Sequence, residues 1–423
     1  MQNILDKLNL IFKDRNLRRR ILFVLGALLI FRLLANIPIP GINEERLASL
    51  FDESQLFSLF NVFSGGGLSN LSIVMLGVSP YITASIIMQL LTVMSPKLKA
   101  IYQEEGEAGR KKFSQYSRLI TIPLAIVQSV GFIILLSRQG AVIDLGTFAL
   151  ITNVIIVTAG SILLMWIGEL MTEFGVGNGT SLIIFAGIVA DLPATIIRLR
   201  AGFDPSQIPL IVGFLFVAIV IVYGVVVITE SERPIPITYA KRVRGMKIYG
   251  GISTYLPLRL NQAGVIPIIF ALSILLFPQM IFTFLSGISN DFIKSVAGFI
   301  NTALLNQWIY AVLYFALVFL FTYFYTAVTF DPDVIANNLQ KSGAFIPGVR
   351  PGQSTSQYIL KILTRITMVG ALFLGIIAVL PLIVRSITNI SYLAIGGTAL
   401  LIVVSVILDL VKRVDSQISM REY

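Results

Sequence analysis

Apolar residues in this chain fall in long unbroken runs, not on one stripe of a helix or on alternate positions of a strand. Ten runs, near 21–36, 74–95, 119–137, 149–170, 180–197, 209–229, 263–285, 308–328, 363–384 and 391–408, carry few or no charges. A helix that crosses a bilayer needs about 20 such residues, because without water every backbone amide must be paired within its own segment. The pattern therefore predicts an all-α membrane protein of ten transmembrane helices. The first run follows Arg18, Arg19 and Arg20, as a secretory signal would. It leads into Asn36-Ile37-Pro38-Ile39-Pro40 without an A-x-A-like cleavage site, so it is read as a retained span.

Two features depart from a plain bundle. The stretch from Ser54 to Pro96 is charge-free and about twice the length of one crossing. Its part from Asn61 to Asn70 is too rich in glycine and polar residues for lipid. Irregular backbone survives at membrane depth only when buried in protein or facing water, so this part is either a re-entrant segment or an extracytoplasmic loop. The second feature is an internal echo: Gly77-Val78-Ser79-Pro80 opens the second run and Gly264-Val265-Ile266-Pro267 the seventh. Each is the second span of a five-span half, 21–200 or 201–410. Five is odd, so the halves would cross in opposite senses, an inverted repeat with a functional path between them.

Composition agrees with the pattern. Of 423 residues, 56% are hydrophobic and only 13% charged, against about 25% charged in a soluble domain. Cys and His are absent, which excludes disulfides, thiolate metal sites and most histidine-based metal or general-base chemistry. The net charge of +10 is a topology signal before it is a binding signal. Of the 32 Lys and Arg, Arg32 lies in the first span and six (Arg46, Arg138, Arg198, Arg200, Lys294, Arg385) lie between spans on one side. The other 25 lie in the 1–20 arm, the 96–118, 230–259 and 329–365 loops, and the 411–423 tail. The positive-inside rule makes that side cytosolic, with both termini on it.

Loops 230–259 and 329–365 are longer than a helix connection needs. The first carries Arg242, Arg244 and Lys247; the second has Gly and Pro spaced from Lys341 to Gly352, which suggests a shaped tip presenting Arg350. Such loops suit an acidic partner, ribosomal RNA or anionic headgroups, or serve only to set orientation. No G-x-x-x-x-G-K-[ST] occurs, so a P-loop does not supply energy.

Several segments carry a resemblance. Ser64-Gly65-Gly66, the run Pro80 to Leu91, Gly106-Glu107-Ala108-Gly109-Arg110-Lys111, Thr172 to Gly179, Ala263 to Pro267 and Ser342 to Gly352 together resemble the SecY family, the channel subunits of the bacterial protein translocase. The likeness runs through nearly the whole chain in order. It implies a passive polypeptide channel between the two halves, in the bacterial plasma membrane, with no cofactor and no catalysis. It also implies SecE clamping the halves, SecG as a third subunit, and the SecA ATPase or a ribosome docking on Arg242, Arg244, Lys247 and Arg350.

The resemblance further implies a constriction ring at Val78, Ile82, Thr180, Ile184, Ile269 and Ile402. A narrow apolar ring excludes ions by dewetting yet can close around a passing chain. Thr180 departs from the aliphatic type, and its hydroxyl is expected to make the ring wetter. The segment near Phe60–Ser72 would be the plug, with Phe63, Ser64, Gly65, Gly66, Gly67 and Leu68; small, weakly polar residues suit a part that leaves its seat and should bury little apolar area. Thr83, Gln128, Asn261 and Phe277 would line a lateral gate between spans 2–3 and 7–8, through which hydrophobic segments reach lipid. Arg32, near the outer end of the first span, reads as snorkelling to the interface.

A secondary transporter also uses inverted repeats and broken helices, but coupled carriers keep ionisable groups at mid-membrane. Here Arg32, Glu169, Asp191 and Asp409 all lie toward span ends. An intramembrane protease would need paired carboxylates at mid-depth or a serine with its base, and neither constellation occurs in the spans.

Overall fold

The computed structural model describes residues 14–41, 61, 64, 66–68, 70–103, 105–138, 140, 146–201, 208–239, 242–244, 247–249, 253–285, 298, 306–388 and 396–422. Among them the apolar runs are helical: α1 (Arg15–Leu34), α2 (Ser79–Met94), the short α3 (Pro96–Gln103), α4 (Gly106–Arg138), α5 (Thr147–Phe174), α6 (Gly179–Ala201) and α7 (Ile208–Glu230). They continue as α8 (Ile266–Leu285), α9 (Gln307–Thr329), α10 (Pro332–Lys341), α11 (Gln353–Thr388) and α12 (Gly396–Glu422). Among the described residues, Gly106–Ser137, Thr147–Phe174, Gln307–Lys341 and Gln353–Val384 are long and apolar enough by themselves to cross a membrane.

Local chemistry sets the ends. Asn306 caps α9 by accepting from the Trp308 and Ile309 amides, and Asp331 caps α10 by accepting from Asp333 and Val334. Pro123, Pro193 and Pro381 sit inside α4, α6 and α11. A bundle of neighbouring helices tolerates such breaks because other groups can satisfy the freed backbone. Separately, the side-chain amide of Gln307 donates to the Leu382 carbonyl at 2.7 Å and ties α9 to α11.

One buried apolar cluster runs through both halves, from Val24 on α1, Leu164 on α5 and Ile184 on α6 to Ile269 on α8, Tyr314 on α9, Leu374 on α11 and Ile402 on α12. A second joins the chain after α1 and before α2 to the outer parts of α4 and α5: Ile39, Leu68, Leu71, Met75 and Leu76 pack with Phe132, Ile133, Leu136, Val154 and Val157. The bundle is apolar outside as well. Leu22, Leu25, Leu29 and Leu33 of α1, and Leu215, Phe216, Ile219, Val220 and Tyr223 of α7, all stand exposed. A continuous outward apolar face of this kind needs lipid or another apolar helix to cover it.

The two long loops, read separately from sequence, form one unit. β1 (Glu232–Tyr239) and β4 (Ser253–Arg259) make an antiparallel pair, with β2 (Arg242–Arg244) and β3 (Lys247–Tyr249) as a smaller pair between them. β5 (Ala344–Phe345), from the second loop, joins β1 through Thr238↔Phe345 and Tyr239↔Ala344, giving the order β4-β1-β5. Ile235 and Ile237 point inward, while Pro234 and Pro236 face out on the part of β1 that β5 leaves unpaired, where proline costs no ladder bond. The sheet packs through Ile235, Ile237, Leu258 and Ile346 onto Ile359 and Ile366 of α11.

Candidate pore and its surroundings

The echo seen in the sequence is a repeated turn. Gly77 has φ +58° and Gly264 φ +60°, a region open to glycine and costly to residues with a Cβ. Each is followed by a valine and then a helix with proline in its second position, and the Ile82 and Ile269 amides donate to the Val78 and Val265 carbonyls at 3.0 and 3.4 Å. Ile82 and Ile269 thus occupy equivalent places in the two halves.

Val78, Ile184, Ile269 and Ile402 are buried in one cluster, and Ile82 packs against it, half-buried. α2 with the Val78 that caps it, α6, α8 and α12 contribute these five side chains, and none is ionisable. Thr180 is half-buried one turn before Ile184 in α6. Its hydroxyl donates to Asn178 Oδ1 at 2.6 Å, and the same oxygen accepts from the Thr180 amide at 3.1 Å, so Thr180 belongs to the N-terminal turn of α6. Val265, which the sequence reading passed over, packs against the cluster as the counterpart of Val78; the echo itself was the signal for it.

The described residues from Ser64 to Val78 are mostly turns, with Ser72 bridged to Pro38, and most are buried. Ser64 is wholly buried; its hydroxyl donates to the Asn61 carbonyl at 3.0 Å and accepts from the Leu68 amide at 3.1 Å. Ser72 binds the Gly67 carbonyl through amide and hydroxyl, both at 2.9 Å. The segment is laced to the end of α1 by Ile39 N–H to Leu71 O and Ile73 N–H to Ile37 O, each 2.9 Å. It is laced to α5 by Ser161, whose hydroxyl donates to the Gly77 carbonyl at 2.9 Å. Leu68 and Leu71 have no exposure, contrary to the expected small apolar burial; a fully buried leucine is worth about 2–3 kcal/mol. Phe63 and Gly65 lie outside the described residues. Asn61 donates to Asp191 Oδ2 at 2.9 Å. Arg32 holds Nη1 3.4 Å from where a Cβ on Gly66 would stand.

The gate residues are not bonded to one another. The Thr83 hydroxyl donates to Ser79 O in its own helix at 3.0 Å, and the Asn261 amide donates to the Gly264 carbonyl at 3.2 Å. Gln128 Oε1 and Asn261 Oδ1 are buried with no partner among the described residues. Gln128 stands on α4, against which both α2 and α8 pack. Phe277 belongs to α8, but its side chain lies outside the described residues.

Toward the ends of α4 and α5, Arg118 Nε meets Glu169 Oε1 at 2.7 Å, and Ser114 donates to the same oxygen at 3.4 Å. Lys99 of α3 approaches Asp331 at 3.5 Å, and Lys412 of α12 approaches Glu230 at 2.8 Å. Arg242, Arg244 and Lys247 lie on β2 and β3, while Arg350 is exposed beyond β5, its carbonyl accepting from the Thr355 hydroxyl at 2.9 Å. Among the described residues no cluster of acidic side chains could hold a metal.

Comparison with known proteins places this geometry. The family model described as SecY matches residues 72–411. The protein translocase subunit SecY of Escherichia coli K12 is 44% identical over 418 residues, covering 96% of this chain and 93% of that protein. Among solved structures, a protein-conducting channel superposes with a TM-score of 0.64 at 18% identity, covering 96% of this chain and 93% of that one. Sec61 in the canine ribosome–channel complex from the endoplasmic reticulum gives 0.62 at 17% identity over the same shares, 96% and 93%.

Proposed function

The chain belongs to the SecY family and is a protein-conducting channel subunit of a protein translocase; we propose that unfolded secretory chains pass through the ring between its halves, and that hydrophobic segments leave sideways into the bacterial plasma membrane. The observation that carries this reading is the meeting of Val78, Ile82, Ile184, Ile269 and Ile402, from four helices, in one buried cluster free of charge. Such a waist has nothing to replace an ion's hydration shell, while its flexible side chains can fit any extruded polypeptide. A solute carrier would show ionisable groups at that depth. Here Glu169 is spent on Arg118 and Asp409 on Arg413.

The buried turns from Asn61 to Leu68 act as the plug on one side of the ring. Leu68 and Leu71 fix the hinge and the turn bearing Asn61, Ser64 and Gly66 moves. The seam where α2 and α4 meet α8 is the lateral gate, with Thr83, Gln128, Asn261 and Phe277 along it. The chain crosses ten times with both termini cytosolic. Because β1, β4 and β5 join both long loops on α11, Arg242, Arg244, Lys247 and Arg350 form a shared platform for SecA or a ribosome. The outward apolar faces of α1 and α7 are where lipid, SecE or SecG would lie.

Photo-crosslinking tests the path. Probes at Ile184 and Ile402 should capture a secretory chain stalled in transit, and a probe at the outward Phe216 should not. Equal capture at Phe216, or none at the ring, overturns the reading.

A further inference from the structure

The seat of the plug turn carries a charged group that neither the ring nor the lateral seam uses. Asn61 Nδ2 donates to Asp191 Oδ2 at 2.9 Å, joining the turn to α6. Gly66 stands over the same carboxylate: a Cβ there would lie 3.8 Å from Asp191 Oδ1, 3.8 Å from the Gly187 carbonyl oxygen and 3.4 Å from Arg32 Nη1. One carboxylate therefore grips the turn through one oxygen and faces its glycine with the other, and a guanidinium from α1 flanks that glycine. Two elements from the same half thus converge on a turn that Ser64 also ties internally.

We infer that Asp191 is the latch of the closed channel, holding Asn61 against α6 with Arg32 alongside, so that the turn's release must break this charge-assisted hydrogen bond. This rests on reading the turn as the plug. The latch suits a part that must move. Bonds to ionised groups are stronger than neutral ones but are readily exchanged for water, whereas the buried leucines behind it stay in place. Asp191 is a positioning residue: it touches neither the ring nor the translocating chain.

Ion leak through the resting full-length channel in planar bilayers, purified with the subunits it carries, reads the latch. Asn61→Asp sets two carboxylates against each other and should raise leak about tenfold, the scale of one bond to a charged group. Adding Asp191→Asn exchanges donor and acceptor and should restore leak to within about twofold of the parent. A merely structural loss would not be repaired in this way. Leak unchanged by Asn61→Asp, or unrepaired by the exchange, overturns the latch. Gly77→Val separates this from the plug reading, because a Cβ at Gly77 would stand 2.6 Å from Ser64 Cα and unseat the turn by contact alone. If Gly77→Val leaks and Asn61→Asp does not, the plug stands and the latch falls. If neither leaks, both fall.

Discussion

Replacing Gln128 by leucine should make the channel harder to open. Gln128 is 6% exposed, and its Oε1 is buried with no donor among the described residues. Leaving a buried acceptor unmade costs about 1–3 kcal/mol. That cost falls on the closed state, because parting α8 from α2 and α4 would let water reach the amide. Gln128→Leu removes it and keeps the volume. After allowance for imperfect packing, the closed state should gain about 1–2 kcal/mol, which lowers the open fraction roughly five- to thirtyfold. Translocation into vesicles would be followed with two substrates that differ only in signal hydrophobicity. A strongly hydrophobic signal has free energy to spare and should be little affected, while a weak one should slow by close to the full factor. Thermal stability should rise in parallel. A variant that is more stable but translocates the weak signal at the parent rate would show that opening the seam is not what limits transport. A less stable variant would show that the amide is satisfied.

Thr180→Val should leave resting ion leak within about twofold of the parent, since the hydroxyl is turned to Asn178 and the ring closes without it; a marked fall in bilayer conductance would place that hydroxyl in the pore. Arg350→Glu should cut motor-driven export several-fold at low salt, where charge complementarity weighs most, without lowering the melting temperature; unchanged export would remove Arg350 from the docking surface.

What could be read from sequence follows from how strictly the environment constrains residue type. Lipid demands apolar side chains all round a helix, so the runs near 149–170 and 308–328 could be placed on α5 and α9 within a few residues. The β1–β4 pair was missed for the opposite reason. Ile235 and Ile237 alternate as a strand should, but prolines at 234 and 236 read as strand breakers until the unpaired edge is seen. Its third strand comes from a loop about a hundred residues later, a pairing no local pattern carries. Thr180 was assigned by its place in a motif, yet Asn178 two residues earlier is an N-terminal cap that claims the hydroxyl. Arg32 and Asp191 each look like a charge near a span end when read singly. Only the folded chain puts both beside Gly66.

The distribution of strong and weak contacts separates what must hold from what must move. Where α5 crosses the turn before α2, Gly160 leaves no room for a Cβ against the Ile73 carbonyl oxygen, so backbone meets backbone and the entry to α2 is fixed against α5. The β4-β1-β5 sheet is fixed too, by strand pairing and by isoleucines buried on α11. Between these rigid parts the contacts are of another kind. The ring closes by apolar contact alone, which a passing side chain can replace at little cost. In the proposed gate, Gln128 and Asn261 carry acceptors whose burial disfavours closure, and the proposed plug turn is held to α6 by a hydrogen bond from Asn61 to a carboxylate. A channel closed throughout by leucine packing would be tighter, but each buried leucine would add about 2–3 kcal/mol to opening, and a few of them would exceed what one signal segment supplies. Weak closure at the moving parts is therefore a requirement of a pore that its own substrate must open.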